Sequence, residues 1–310
     1  MSRRVAVIGE CMLELQGQAF GAMTQSYGGD TLNTAVYLRR CGQVDGIEVA
    51  YATALGEDSL SQGLLDRWSA QGLQIQLVRR LPGRHPGLYL IQVDDKGERS
   101  FHYWRDSSAA KAYFDTDETP LEAQAEQFDA LYLSGITLAI LPPAGRERLF
   151  ALMARMKRHA TVVFDNNYRP RLWPDPAVAR EAFERAFSLS TIALVTADDH
   201  QALFGLGTPA AALAHAQDLS TPEVVIKRGA ESTLVRDANE SLDWATADTE
   251  RVARVVDTTA AGDSFAGAYL ARRLAGASPA EAARHGNRVA ARVIQHHGAV
   301  IPAEAMADLV

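Results

Sequence analysis

"VVDTTAAGDSFAGAYLA", Val255–Ala271, sets one carboxylate, Asp263, directly behind three small residues, Ala260, Ala261 and Gly262. Val255 and Val256 read as the end of an apolar strand. From Ser264 onward Ala266, Gly267, Leu270, Ala271 and Leu274 recur at helical spacing, so a helix begins close to Gly262 and Asp263. The first amides of a helix lack partners inside it and carry the positive end of its dipole, which makes this turn a cradle for an anion. Small side chains let a ligand approach the backbone there. Two roles for Asp263 stay open on this stretch alone. It is a helix cap, or it is a base beside donors that face a moving phosphoryl group.

On the N-terminal side of this stretch lie "VAVIG" (Val5–Gly9), "ALYLSG" (Ala130–Gly135), "TVVFD" (Thr161–Asp165), "IALVT" (Ile192–Thr196) and "EVVIKRG" (Glu223–Gly229). Ala- and Leu-rich segments of helical spacing separate them, such as Gly145–His159. Continuous apolar strands alternating with helices predict an α/β fold around a buried, mostly parallel sheet. Ligands of such sheets gather beyond the carboxyl ends of the strands. "GLYLIQVDDKGERSFHYW" breaks the alternation and reads as two strands of mixed polarity joined by a turn at Asp94-Asp95-Lys96-Gly97. That hairpin, carrying Tyr89, Tyr103 and Arg105, forms a lid, a subunit interface or an edge extension.

Composition excludes several classes. The chain has 310 residues, 47% of them apolar and 22% charged, as expected of a globular protein with a large core. Its net charge of −7, with no basic run, argues against nucleic-acid or anionic-membrane partners. Cys11 and Cys41 are too few for a disulfide framework and lack metal-ligand spacing. "MSRRVAVIGE" reads as a first strand rather than a signal peptide, and no apolar run approaches a membrane span, so a cytoplasmic location is expected. No G-x-x-x-x-G-K-[ST] sequence is present, which excludes a P-loop enzyme.

"DTTAAGDSFAGAYL" resembles the C-terminal signature of the PfkB, or ribokinase-like, carbohydrate kinases, whose usual G-A-G-D core stands here as Ala260-Ala261-Gly262-Asp263. "YGGDTLNTAVYLRRCG", Tyr27–Gly42, is similar to the family's other signature, a Gly-Gly pair followed by Asn and a helix. Two signatures in the right order near opposite ends of the chain are far more specific than either alone. The resemblance implies one ribokinase-like domain over residues 1–310, a three-layer α/β/α body with a small β lid formed from about 11–30 and 84–107. It also implies Mg-ATP as phosphoryl donor and a homo-oligomer formed through the lid. "GECMLEL", "GERSFHYWRD", "FDNNYRPRLW" and "VVIKRGAES" are similar to the branch that phosphorylates the 6-hydroxyl of 2-keto-3-deoxy-D-gluconate, in sugar-acid catabolism.

A keto-acid substrate carries a carboxylate, which the planar fork of arginine suits. The resemblance places Tyr103, Arg105 and Arg169 at the substrate, with Tyr89 closing over it. Gly28 and Gly29 permit a tight turn opposite, and Asp30 and Asn33 can bond sugar hydroxyls; Asp30 should face the hydroxyl end, because it would repel the substrate's acid. An alternative for Asp30 is a cap. On the nucleotide side the resemblance places Asn167, Lys227, Arg228, Gly229, Ser232 and Asn287 together with Ala260, Ala261 and Gly262; for Asn287 a helix-surface position is the simple alternative. One departure stands out. Where many relatives carry N-x-x-E to organise magnesium, "TADDHQAL" gives Asp198, Asp199, His200 and Gln201, so the metal ligands are left open, with Asp198 or Asp199 able to hold a hydrated ion.

Overall fold

The computed structural model describes residues 2–18, 20–93 and 99–310. Its strands are β1 (Arg3–Ile8), β2 (Met12–Gly17), β3 (Met23–Gly28), β4 (Ile47–Leu55), β5 (Val78–Arg80), β6 (Gly87–Val93), β7 (Arg99–Trp104), β8 (Ala130–Ser134), β9 (Thr161–Asp165), β10 (Ile192–Thr196), β11 (Glu223–Arg228), β12 (Glu231–Asp237) and β13 (Ala245–Ala247). The helices are α1 (Asp30–Cys41), α2 (Ser59–Ala70), α3 (Pro120–Gln124), α4 (Gly135–Ile140), α5 (Pro143–Met156), α6 (Pro176–Leu189), α7 (Ala197–Phe204), α8 (Pro209–Gln217), α9 (Ala261–Leu274) and α10 (Pro279–Val293).

The large sheet runs β13-β12-β11-β10-β9-β8-β1-β4-β5. The five apolar runs of the sequence form its adjacent parallel strands β11, β10, β9, β8 and β1, and only β12 and β13 pair antiparallel. They could be read without periodicity because helices cover both faces. On one face Val5, Val7, Tyr132 and Leu194 pack with Leu32, Val36, Trp68, Phe265 and Val289 of α1, α2, α9 and α10. On the other, Ala6, Leu131, Phe164 and Ile226 pack with Leu138, Met153, Phe183 and Leu203 of α4 to α7. The result is a three-layer α/β/α body. Strand β4 went unread in the sequence, since its Ala50, Ala52 and Ala54 fill one core while Val49, Tyr51 and Leu55 fill the other.

The carboxyl ends of β1, β8, β9, β10 and β11 open on the same side, and each continues into a segment that reaches the cleft described below. A second sheet, β3-β2-β6-β7, stands apart from the large one. β2 pairs parallel with β6 and antiparallel with β3, while β6 and β7 form a hairpin whose turn at 94–97 lies outside the described residues.

Val255 and Val256 correct the opening expectation, for they form no strand. The Val256 amide donates to the Ile294 carbonyl just beyond α10, at 2.8 Å, so the pair packs as a loop against a helix end. Among the described residues no helix is long and apolar enough to cross a membrane.

Candidate active site

α1 and α9 cross so closely that a Cβ on Gly267 would sit 2.6 Å from the Thr34 carbonyl oxygen. Only glycine allows that approach. It brings Asn33 on α1 against Asp263 on α9, and Asn33 Nδ2 donates to Asp263 Oδ2 at 2.8 Å. The N-cap of α9 is Ala260, held in the left-handed region at φ 61° with no side-chain cap. Asp263 lies within the first turn and takes its side-chain bond from Asn33, not from the helix end. That geometry removes the capping role and leaves the start of α9 open toward the cleft.

The cleft, of about 540 Å³, is lined by Gly28, Gly29, Asp30 and Asn33, by Tyr89 and Tyr103 of the small sheet, and by Asp165, Asn167 and Arg169 behind β9. Asp198, Asp199, Lys227 and the run Thr258–Asp263 complete it. Burial, the charge of Asp30 and that of Asp165 push the Asp263 carboxyl up to about 7, against the Asn33 bond and Lys227. Its carboxyl is therefore a stronger base than an exposed aspartate.

Asp30 begins α1 after Gly29, where a Cβ would meet the Glu10 carbonyl oxygen at 2.2 Å. Its Oδ2 accepts from Ser134 Oγ at 2.5 Å and from Asn167 Nδ2 at 2.7 Å. Burial raises its pKa, and those two donors oppose the rise. Asn167, expected on the nucleotide side, is thus directed at Asp30. Lys227 Nζ forms a buried ion pair with Asp165 Oδ2 at 2.8 Å, and a Cβ on Gly262 would lie 3.6 Å from that nitrogen. Lys227 consequently borders the amide cradle. Asp165 was not singled out in the sequence; the available signal was an acid ending the buried run "TVVFD" at a parallel strand's carboxyl end.

The two arginines part company. Arg169 lines the cleft, with Nη1 3.2 Å from Asp199 Oδ2. Burial raises the pKa of Asp199 and the Arg169 charge opposes it. Arg105 instead pairs with the buried carboxylate of Glu10 and is not among the cleft-lining residues. Tyr89 stacks on Tyr103 with centroids 5.8 Å apart, and its hydroxyl donates to Glu14.

Four residues expected on the nucleotide side stand outside the lining. Arg228 bonds Glu231 at 2.7 Å and the Ser232 carbonyl, Gly229 is the exposed turn that follows, and Ser232 Oγ donates to Asp248 at 2.8 Å. Asn287 is neither cleft-lining nor on a helix surface. It is buried, with Oδ1 accepting from Thr233 Oγ1 at 3.0 Å and Nδ2 donating to the Ala247 carbonyl at 3.0 Å, because β12 and β13 pack onto α10.

A family profile described as "pfkB family carbohydrate kinase" matches residues 2–306. The chain belongs to the PfkB family of carbohydrate kinases. It is 44% identical to the 2-dehydro-3-deoxygluconokinase of Escherichia coli (strain K12) over 308 residues, 99% of each chain. It is 43% identical to that of Dickeya dadantii (strain 3937), covering 98% of this chain and 99% of the relative. Among solved structures, a PfkB protein from Polaromonas sp. JS666 superposes with a TM-score of 0.82 at 25% identity, over 99% of this chain and 100% of the other. This PfkB chain thus carries an open helix start, a basic carboxylate and a lysine in one cleft at the carboxyl ends of its parallel strands.

Proposed function

We propose that the chain is an ATP-dependent 2-dehydro-3-deoxygluconokinase, which transfers the γ-phosphoryl group of ATP to the 6-hydroxyl of 2-keto-3-deoxy-D-gluconate. The observation that carries this reading is Asp263, a carboxylate raised to about 7 at the open start of α9 and bonded to Asn33. The near full-length likeness to relatives of that name supplies the substrate.

In this reading Asp263 takes the proton of the 6-hydroxyl as its oxygen bonds to the γ-phosphorus. The bond from that phosphorus to the β–γ bridging oxygen breaks, and ADP leaves. The amides of Gly262 and Asp263, with Lys227 beside Gly262, face the charge that develops on the transferring group, while the Ala261 amide is bonded to the Thr258 carbonyl at 3.2 Å. Arg169 meets the substrate carboxylate, while Asn33 and Asp30 lie on the side that receives hydroxyls. Tyr89 and Tyr103 place the four-stranded sheet over the substrate as a lid on one kinase domain, 1–310, and copies associate through that lid.

Among the described residues no cluster of three or more His, Cys, Asp or Glu side chains is arranged to hold a metal by itself. That suits magnesium, which favours a carboxylate or two, phosphate oxygens and retained water. Asp198 fits as its protein contact, since it lines the cleft while Asp199 is paired with Arg169. When bound, the ion neutralises charge on the phosphates of ATP.

ADP release with 2-keto-3-deoxygluconate, its galacto epimer, fructose and ribose tests the assignment. Fastest turnover of 2-keto-3-deoxygluconate is expected, and preference for a neutral sugar overturns it. Because the base must be ionised, kcat/KM is expected to fall as pH drops through about 7. A profile flat down to the ordinary carboxylate range contradicts that role for Asp263.

A further inference from the structure

We propose that Asp30 is a positioning residue for phosphoryl transfer: held by Ser134 and Asn167 on the helix turn that also bonds Asp263, it places negative charge in the same cleft and sets how strongly that carboxylate holds a proton. The inference rests on the reading of Asp263 as the base.

The placement begins with α1. Asp30 and Asn33 occupy its first turn, so the helix that donates a hydrogen bond to Asp263 also carries the second acid into the same cleft. Two donors on one oxygen favour the charged form of Asp30 against the cost of burial. Both donors come from strand ends, Ser134 closing β8 and Asn167 just after β9, and so from the rigid part of the fold. Asp263 has a weaker set of donors, with Asn33 as its side-chain partner.

The other groups facing Asp263 do not replace this effect. Asp165 raises its proton affinity and Lys227 lowers it, and these two charges are paired with each other at 2.8 Å, so they largely cancel. The hydroxyls of Tyr132 and Tyr37 also feel the Asp263 charge, but burial keeps both phenols neutral. Asp30 is left as the largest charge acting on Asp263. A like charge in the same cleft is a standard means of lifting a carboxylate toward the working pH, where a base is most effective.

Asp30→Asn and Asp30→Ser remove the charge while keeping a polar group for Ser134 and Asn167. Two readouts apply to each variant: the pH profile of kcat/KM with 2-keto-3-deoxygluconate, and the carbon-13 titration of aspartate-labelled protein, with the Asp263 resonance assigned by its loss in Asp263→Asn. The titration needs no activity and so reads variants whose turnover is low. Both midpoints are expected to move down by about one pH unit or more, with a lower plateau in kcat. Loss of kcat with both midpoints unmoved would mean that Asp30 acts only through structure or substrate contact, and overturns the proposal. Wild-type turnover by Asp263→Asn fails differently, since it removes the base itself.

Discussion

α1 and α9 enter the cleft in the same way, through a turn of small residues, an acid in the first turn and no side-chain cap. Their acids differ in what surrounds them. Asp30 receives a hydroxyl and an amide from the strand ends of the large sheet, whereas Asp263 takes its side-chain bond from the facing helix. The local sequence grammar is thus shared, and the tertiary partners make one acid a fixture and the other a candidate base.

Asp263→Asn puts that contrast under the greatest strain. Replacing Asp263 is expected to lower kcat by about 10²- to 10⁴-fold, the range for a positioned base. Binding of a non-hydrolysable ATP analogue, measured by calorimetry, should be retained, because the amides and Lys227 remain. If the variant instead turns over normally and only melts earlier, Asp263 is a structural acid.

Lys227→Met extends the comparison to the nucleotide wall. Removing the lysine leaves Asp165 buried without its counter-charge, and breaking a buried pair in this way costs about 3–5 kcal/mol of stability. Chemical denaturation should show the loss, and KM for ATP should rise. Adding Asp165→Asn should restore most of the stability but not the affinity. Recovery of both would place Lys227 in the fold and not in the site.

These residues were unequally legible in the sequence. Strands β1 and β8 to β11 stood out because burial on both faces leaves a run of apolar residues that needs no partner to be recognised. β4 was hidden by its alternating alanines, and Val255-Val256 was misread because two β-branched residues look alike in a strand and in a loop packed on a helix. Asp263, Asn33 and Lys227 could be brought toward one cleft by motif. The partners that give them character could not. Ser134, Asn167 and Asp165 reach their acids and lysine across long stretches of chain, and Glu10, just before β2, holds Arg105, just after β7. Such pairings are created by strand order, which no local pattern encodes.

Arg169 and Arg105 give a smaller contrast of the same kind, one arginine facing the cleft and one held by a buried acid. Arg169→Ala is expected to raise KM for the keto-acid by about 10- to 100-fold, the value of a hydrogen bond to a charged group, while leaving neutral ketoses little changed. Arg105→Ala should instead lower the melting temperature, because Glu10 loses its counter-ion in a buried setting. Equal effects of Arg169→Ala on acid and neutral substrates would deny it the carboxylate.

The smallest expected effect lies at the helix start itself. Gly29 and Ala260 are the N-caps of α1 and α9, but only Ala260 is left-handed, and it carries a Cβ where the related signature has glycine. A side chain in that region costs about 1–2 kcal/mol, while glycine adds roughly 0.4–1 kcal/mol of unfolded-state entropy to be lost on folding. Ala260→Gly should therefore shift stability upward by no more than about 1.5 kcal/mol and leave kcat intact. Ala260→Val, with a β-branched side chain that resists a positive φ, should lower both, because the turn must move and the amides of Gly262 and Asp263 move with it. A valine variant with full activity would show that the phosphoryl group does not depend on those amides, leaving Lys227 as the group that meets its charge.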